Sequence, residues 1–199
     1  MLFKINTIFF LSFSTVILCQ KLVVALDEDD FKQLMLVGHC VECDLAGADF
    51  SALDLRGMDL RSADLVGADL SKANLAGIDL RGAYLMGANL SDTDLTSADF
   101  FMADLSGSNL KSAILHDADF SRANLTKAEL SKTKLTEAHF CAANLTGAKF
   151  TNSDLGGAYF FEADLTHADF SAAFVQHSDF EGAIFCGTLM PWGTDDTGC

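Results

Sequence analysis

The sequence predicts an all-β solenoid, a chain wound into stacked four-sided coils, and three observations carry that prediction. First, from Cys43 to Phe185 one five-residue unit is written 29 times, and every fifth residue from Leu45 onward is apolar: 19 Leu, 9 Phe and Val175. Second, this period suits neither an α-helix nor a long strand. Five residues turn a helix by about 500°, which scatters the Leu around its axis, and five steps along a strand send alternate Leu to opposite faces. A short extended piece followed by a corner returns every Leu to the inside, and repeated corners make a coil. Third, Phe100, Phe120, Phe140, Phe160 and Phe180 align at a spacing of 20 residues, whereas a spacing of 15 produces no such column. One coil is therefore four units.

Taken in order, residues 1–25 read as a cleaved export signal. Lys4 supplies the positive start, Ile8 to Cys19 the apolar run, and Val23-Val24-Ala25 the small residues before the cut. The run is shorter than the ~20 residues a membrane span needs; an uncleaved N-terminal anchor is the alternative. Cys19 follows Leu18 instead of a small residue, which argues against a lipid acceptor. Residues 26–42 form an N-terminal cap with a helix over 27–38. Asp27 is its N-cap, Glu28, Asp29 and Asp30 favour its positive end, Phe31, Leu34 and Met35 share a face, and Gly38 ends it. Its expected task is to cover the first coil; a partner-binding helix is the sharper alternative.

The shaft, residues 43–185, is expected to hold about seven coils. Two positions before these residues stands, in most units, a small residue, Ala in 20 of 29 and Ser or Thr in five more, and one position before stands Asp or Asn in 20 of 29. Gly recurs at the last position, where a corner needs permissive dihedrals. In the column of aligned Phe, Leu60 and Leu80 are preceded by the large Met58 and Ile78, while Phe100 to Phe160 are preceded by Ala. That exchange is volume compensation in a close-packed interior.

Units such as Ala63-Asp64-Leu65-Val66-Gly67 and Ala88-Asn89-Leu90-Ser91-Asp92 resemble the pentapeptide repeat family, and the resemblance covers about three quarters of the chain. It implies that family's right-handed quadrilateral β-helix and much less about function, since members share the scaffold and differ in what they bind. Residues 186–199 contain the only Pro and the only Trp and read as a C-terminal cap, with Met190 and Trp192 placed on the last coil. The Cys-flanked Met-Pro-Trp-Gly tail resembles that of exported family members.

Five cysteines remain after the leader: Cys40, Cys43, Cys141, Cys186 and Cys199. Cys186 with Cys199 is the expected disulfide, because it would staple a loose tail to the core. Cys40 and Cys43 either pair or stay free, and Cys141, on an outward position, is the expected leftover. His39-Cys40-Val41-Glu42-Cys43 has the wrong order for haem attachment and lacks a second ligand pair for zinc. His139 and Cys141 should project from one face but lack a third group or a pocket.

Without the leader the chain carries 11 basic and 28 acidic residues, a net charge of -17, and 15 of those acids are Asp at the unit's own polar position. The charge speaks against direct binding to nucleic acid or anionic lipid. No phosphate loop, nucleophile elbow or separate carboxylate pair stands apart from the repeat, so no enzyme, cofactor or metal is expected. Function is then expected on the outside, with Tyr84, Met86, Phe101 and Met102 as the candidate surface, and Ile114, Tyr159, Phe161 and Phe174 as a looser second set. Lys134, His139 and Lys149 at the polar position make a less acidic belt.

The leading expectation is an exported structural or protein-interaction module, monomeric or weakly dimeric, with an unidentified protein partner and no membrane attachment once the leader is gone. Its compartment would be periplasm, thylakoid lumen or the extracellular space. The second class is inhibition or protection of a DNA topoisomerase by imitation of the duplex, which the resemblance implies because some family members protect DNA gyrase. A cytoplasmic topoisomerase and an exported chain do not meet.

Overall fold

Five amide groups per unit must each find an acceptor, and a computed structural model that describes residues 28–199 shows where they go. The leader, the Asp27 cap and the side chain of Phe31 lie outside the described residues. In the unit beginning at Asp64, the Asp64 N–H donates to the Cys43 carbonyl of the preceding coil at 2.8 Å, and Leu65 N–H to the Tyr84 carbonyl of the next coil at 2.8 Å. Gly67 N–H donates to the Met86 carbonyl at 3.0 Å, and Ala68 N–H closes the turn on the Leu65 carbonyl at 3.0 Å. The fifth amide, that of Val66, donates to Oδ1 of Asp64 at 3.0 Å. The polar position of the motif is thus a built-in acceptor for the one corner amide that neighbouring coils do not reach.

Every Asp or Asn at that position, from Asp44 to Asp179, accepts the amide two residues on. The same residues form parallel bridges to their counterparts 20 residues on, without a gap from His39↔Asp59 to Asp169↔Leu189. With a two-residue turn between successive bridges, each coil has four corners. The second corner residue takes a left-handed φ whether it is Gly67 (66°), Lys72 (60°) or Met102 (59°). Gly relieves that strain, and the other residues accept it because ladder bonds on both sides leave the backbone no alternative.

Inside, the predicted column exists. Phe100, Phe120, Phe140, Phe160 and Phe180 stack with centroids 4.7, 5.0, 4.8 and 4.8 Å apart. A second column, Phe150 on Phe170 at 4.6 Å, meets the first edge-on at 5.7–6.2 Å. Leu60, Leu80 and Ile78 are buried in the same interior and Met58 packs against it.

Both ends extend beyond the run visible in the sequence. Upstream, Cys40 takes an inward apolar slot, bridged through His39, and joins Cys43 in a disulfide. Helix α1, Glu28–Val37, lies before it and ends where Gly38 (φ 73°) returns its amide to the Leu34 carbonyl at 2.9 Å. Leu34 is fully buried, and an Asp30 carboxylate oxygen accepts the Asp44 amide at 2.9 Å. Met35 does not share that contact: it is 44 % exposed, because one helix step turns it about 100° from Leu34.

Downstream the register does not stop at Phe185. Thr188, Leu189 and Met190 occupy the small, bridging and inward positions of one more unit, with Thr188 and Met190 buried. The same residues form β1 (Thr188–Met190), which pairs antiparallel with β2 (Gly193–Asp195), and Cys186–Cys199 closes the tail as expected. Met190 covers the last coil; Trp192 does not, standing 68 % exposed at the hairpin turn.

Candidate protein-contact surface

Because the interior is filled, the side chains open to other molecules are those on corners and bridges. Nine units lack Asp or Asn at the bridging position: Tyr84, Ile114, Glu129, Lys134, His139, Lys149, Tyr159, Phe174 and Ile184. At these units no side chain caps the corner amide, and a different group is displayed instead.

The first expected surface is partly assembled. Tyr84 (51 % exposed) and Met102 (59 %) line an open groove of ≈ 620 Å³ together with the half-buried Phe101. Ser62 and Gly82 also line the groove, and a Cβ added at Gly82 would stand 3.5 Å from the Ser62 hydroxyl. Met86, although 38 % exposed, does not line the groove. It sits on the next corner along, two residues past the Tyr84 bridge, so the chain carries it away from Met102.

The rest of the wall comes from residues that sequence reasoning missed. Val41, Arg61 and Arg81 stand below Phe101 at 20-residue intervals, and Asp104 bridges Tyr84. Arg61 grips Asp59 through two bonds of 2.8 and 2.7 Å and reaches Asp79 at 3.7 Å; Arg81 repeats this with Asp79 at 2.9 and 2.6 Å and Asp99 at 3.5 Å. The Arg61 hydrogen bonds hold the Asp59 carboxyl below its ordinary range, and the Asp59 and Asp79 carboxylates hold the two guanidinium groups above theirs. This zipper fixes the groove's wall and pairs both of its guanidinium groups with carboxylates. The signal was available, since Asp-x-Arg recurs at 59–61 and 79–81, but only the coil length places one pair on the other.

The second expected set does not converge. Ile114 and Phe174 lie in one column three coils apart, Phe174 with its ring edge over Gly156, whereas Tyr159 and Phe161 lie on another side. There the His139 ring stacks on Tyr159 at 4.9 Å. Cys141 nearby is free and half-buried, as expected of the leftover cysteine. Asp30 offers an oxygen close to the sulfurs of Cys40 and Cys43, but those two are joined to each other, which removes the thiolates a metal would need. Among the described residues no helix is long and apolar enough to cross a membrane.

Comparison with known proteins places this geometry. A family model described as pentapeptide repeats matches residues 39–75, 63–100 and 163–190, and one described as a pentapeptide repeat region matches 93–170. No curated protein sequence matches. Among solved structures, the chain is similar to trypsin-treated QnrB1, a plasmid-mediated fluoroquinolone resistance protein, at 24 % identity over 70 % of this chain and 78 % of that one, with a TM-score of 0.57. HetL, involved in heterocyst differentiation regulation in the cyanobacterium Nostoc sp. strain PCC 7120, is 24 % identical over 85 % and 99 % of the two chains, with a TM-score of 0.40. A pentapeptide repeat protein of the Arabidopsis thaliana thylakoid lumen is 32 % identical over 48 % and 66 %, with a TM-score of 0.47. The likeness to QnrB1 bears on fold alone. With family models running along the chain from residue 39 to 190, and with the five-residue units wound four to a coil, the chain belongs to the pentapeptide repeat family.

Proposed function

We propose that this protein is an exported, non-enzymatic module that presents the outside of a right-handed quadrilateral β-helix of about seven coils to a protein partner. The observation that carries this reading is the filled interior. From Leu45 to Phe170 the Leu or Phe at every fifth position is at most 1 % exposed, so the room the fold offers lies on its surface, as in the groove of Tyr84, Phe101 and Met102. Export is supported by the signal-like residues 1–25 and by two disulfides, which persist in oxidising compartments such as periplasm, thylakoid lumen or the extracellular space. A monomer or weak dimer is the matching state.

The test is direct. The secreted fraction should begin at Leu26, and excess purified protein should leave DNA supercoiling by a topoisomerase unchanged. A chain retained in the cytoplasm with Met1 intact, or one that inhibits supercoiling, would overturn the proposal in favour of duplex mimicry.

A further inference from the structure

Resting on the reading as an interaction module, we infer that a second surface, a cluster of five lysines away from the groove, docks a short acidic segment of a partner protein. Lys111, Lys127, Lys132, Lys134 and Lys149 are all exposed and occupy two adjoining sides of the rod within neighbouring coils. Two acids oppose them from within: Glu129, bonded to Lys149 at 3.2 Å, and Asp154, bridged to Lys134. Burial pushes the Glu129 carboxyl up, but hydrogen bonds from Ser131 and Lys149 and the fields of Lys149 and Lys111 outweigh it and hold it low; Lys111 belongs to the same cluster because the amide of its neighbour Leu110 donates to the Glu129 carbonyl at 2.8 Å. The Lys127 stem runs along the open position at Gly147, where an added Cβ would stand 3.5 Å from its Cγ. Four of the five charges therefore have no ion-pair partner within the described residues, in a chain whose net charge without the leader is -17.

The size of the cluster selects its occupant. From Lys111 to Lys149 is about two coils, or ~10 Å along the rod. Beyond it on the same columns stand Asp94 below Ile114 and Asp169 above Lys149. A duplex, with one charge per ~1.7 Å over tens of ångströms, or the plane of an anionic bilayer, would overrun the lysines and meet those carboxylates. An extended peptide of roughly four to six residues, at about 3.3 Å each, stays near the cluster. Ile114, 37 % exposed and bridged to Lys134, supplies an apolar contact at the edge, so the segment should combine several Asp or Glu with one aliphatic side chain.

The experiment uses the mature protein and three labelled probes: a decapeptide of Glu and Asp with one Leu, a 12-base-pair duplex, and vesicles containing phosphatidylserine. At low salt the peptide should bind measurably, with affinity falling as salt rises, and Lys132→Glu with Lys134→Glu should weaken it about tenfold or more. The milder Lys132→Gln with Lys134→Gln should give a smaller loss in the same direction. Arg122→Glu, on another corner, and Tyr84→Ala with Met102→Ala, in the groove, should leave peptide binding unchanged. No peptide binding, equal loss in the Arg122 or groove variants, or tighter binding of duplex or vesicles would overturn the inference. Since export and supercoiling are read separately, such a failure leaves the module reading standing.

Discussion

Phe140→Leu, alone and combined with Ala138→Ile, tests whether this interior is a packed solid or a tolerant oil. Phe140 lies 5.0 Å from Phe120 and 4.8 Å from Phe160, with Phe150 edge-on at 5.8 Å. Losing two stacked contacts at about 0.5–1.5 kcal/mol each, together with roughly 1 kcal/mol for unfilled volume, puts the cost near 2–4 kcal/mol. Leu60 and Leu80 fill the same column because Met58 and Ile78 occupy the space that Ala138 leaves to the ring. Ala138→Ile alone should overpack and cost about 1–3 kcal/mol. Added to Phe140→Leu, it should recover the volume but not the ring contacts, so the double variant should fall short of the sum by about 1–3 kcal/mol. Guanidinium unfolding followed by circular dichroism supplies the four corners of the cycle. Additivity within ~0.5 kcal/mol would refute volume compensation as the reason for the alternation.

Three further outcomes are expected. Gly87→Ala, at φ 66° with nothing within 4 Å of the added Cβ, should cost only the left-handed dihedral, about 1 kcal/mol, in the same unfolding experiment. Removing the Cys186–Cys199 link by Cys186→Ala should cost about 2–3 kcal/mol through a closed loop of some 14 residues, and should speed proteolysis of the tail. Asp59, whose carboxyl is held low by Arg61, contributes stability that is present above its unfolded value near ~3.9 and is lost as pH falls below about 4. Acid titration of stability should therefore be flatter in Arg61→Gln over that range.

Coil length was legible because bulk repeats visibly: nothing but a 20-residue turn stacks five Phe. The role of Asp and Asn was not. Their frequency showed that the position matters, but an acceptor for an amide two residues on becomes visible only when the other four amides of the unit have been assigned to neighbouring coils. The ends were missed for the opposite reason. Cys40 and Met190 fill inward slots, yet neither matches the Leu or Phe pattern, and Leu189 bridges Asp169 from a position where the pattern calls for Asp or Asn. Of the candidate surface, Tyr84 and Met102 were readable as large residues on outward positions, whereas Met86 shows that adjacency in sequence does not survive a corner.

Net charge follows from the same hydrogen bond. Most of the acids exist to cap corners, so total acidity says little about a partner, and the informative positions are those that give the cap up. Five of the seven bridging residues from Glu129 to Tyr159 do so, including Lys134 and Lys149 of the lysine cluster. If those departures serve recognition, restoring the motif should trade binding for stability. Lys134→Asn offers the Thr136 amide an acceptor like the one Asn144 gives Thr146 at 3.0 Å, without adding a negative charge. The unfolding free energy should rise by about 0.5–1.5 kcal/mol, while affinity for the acidic decapeptide falls. A Lys134→Asn protein no more stable than its parent would contradict the capping role of the motif, and one that binds the peptide as well as its parent would remove Lys134 from the docking surface.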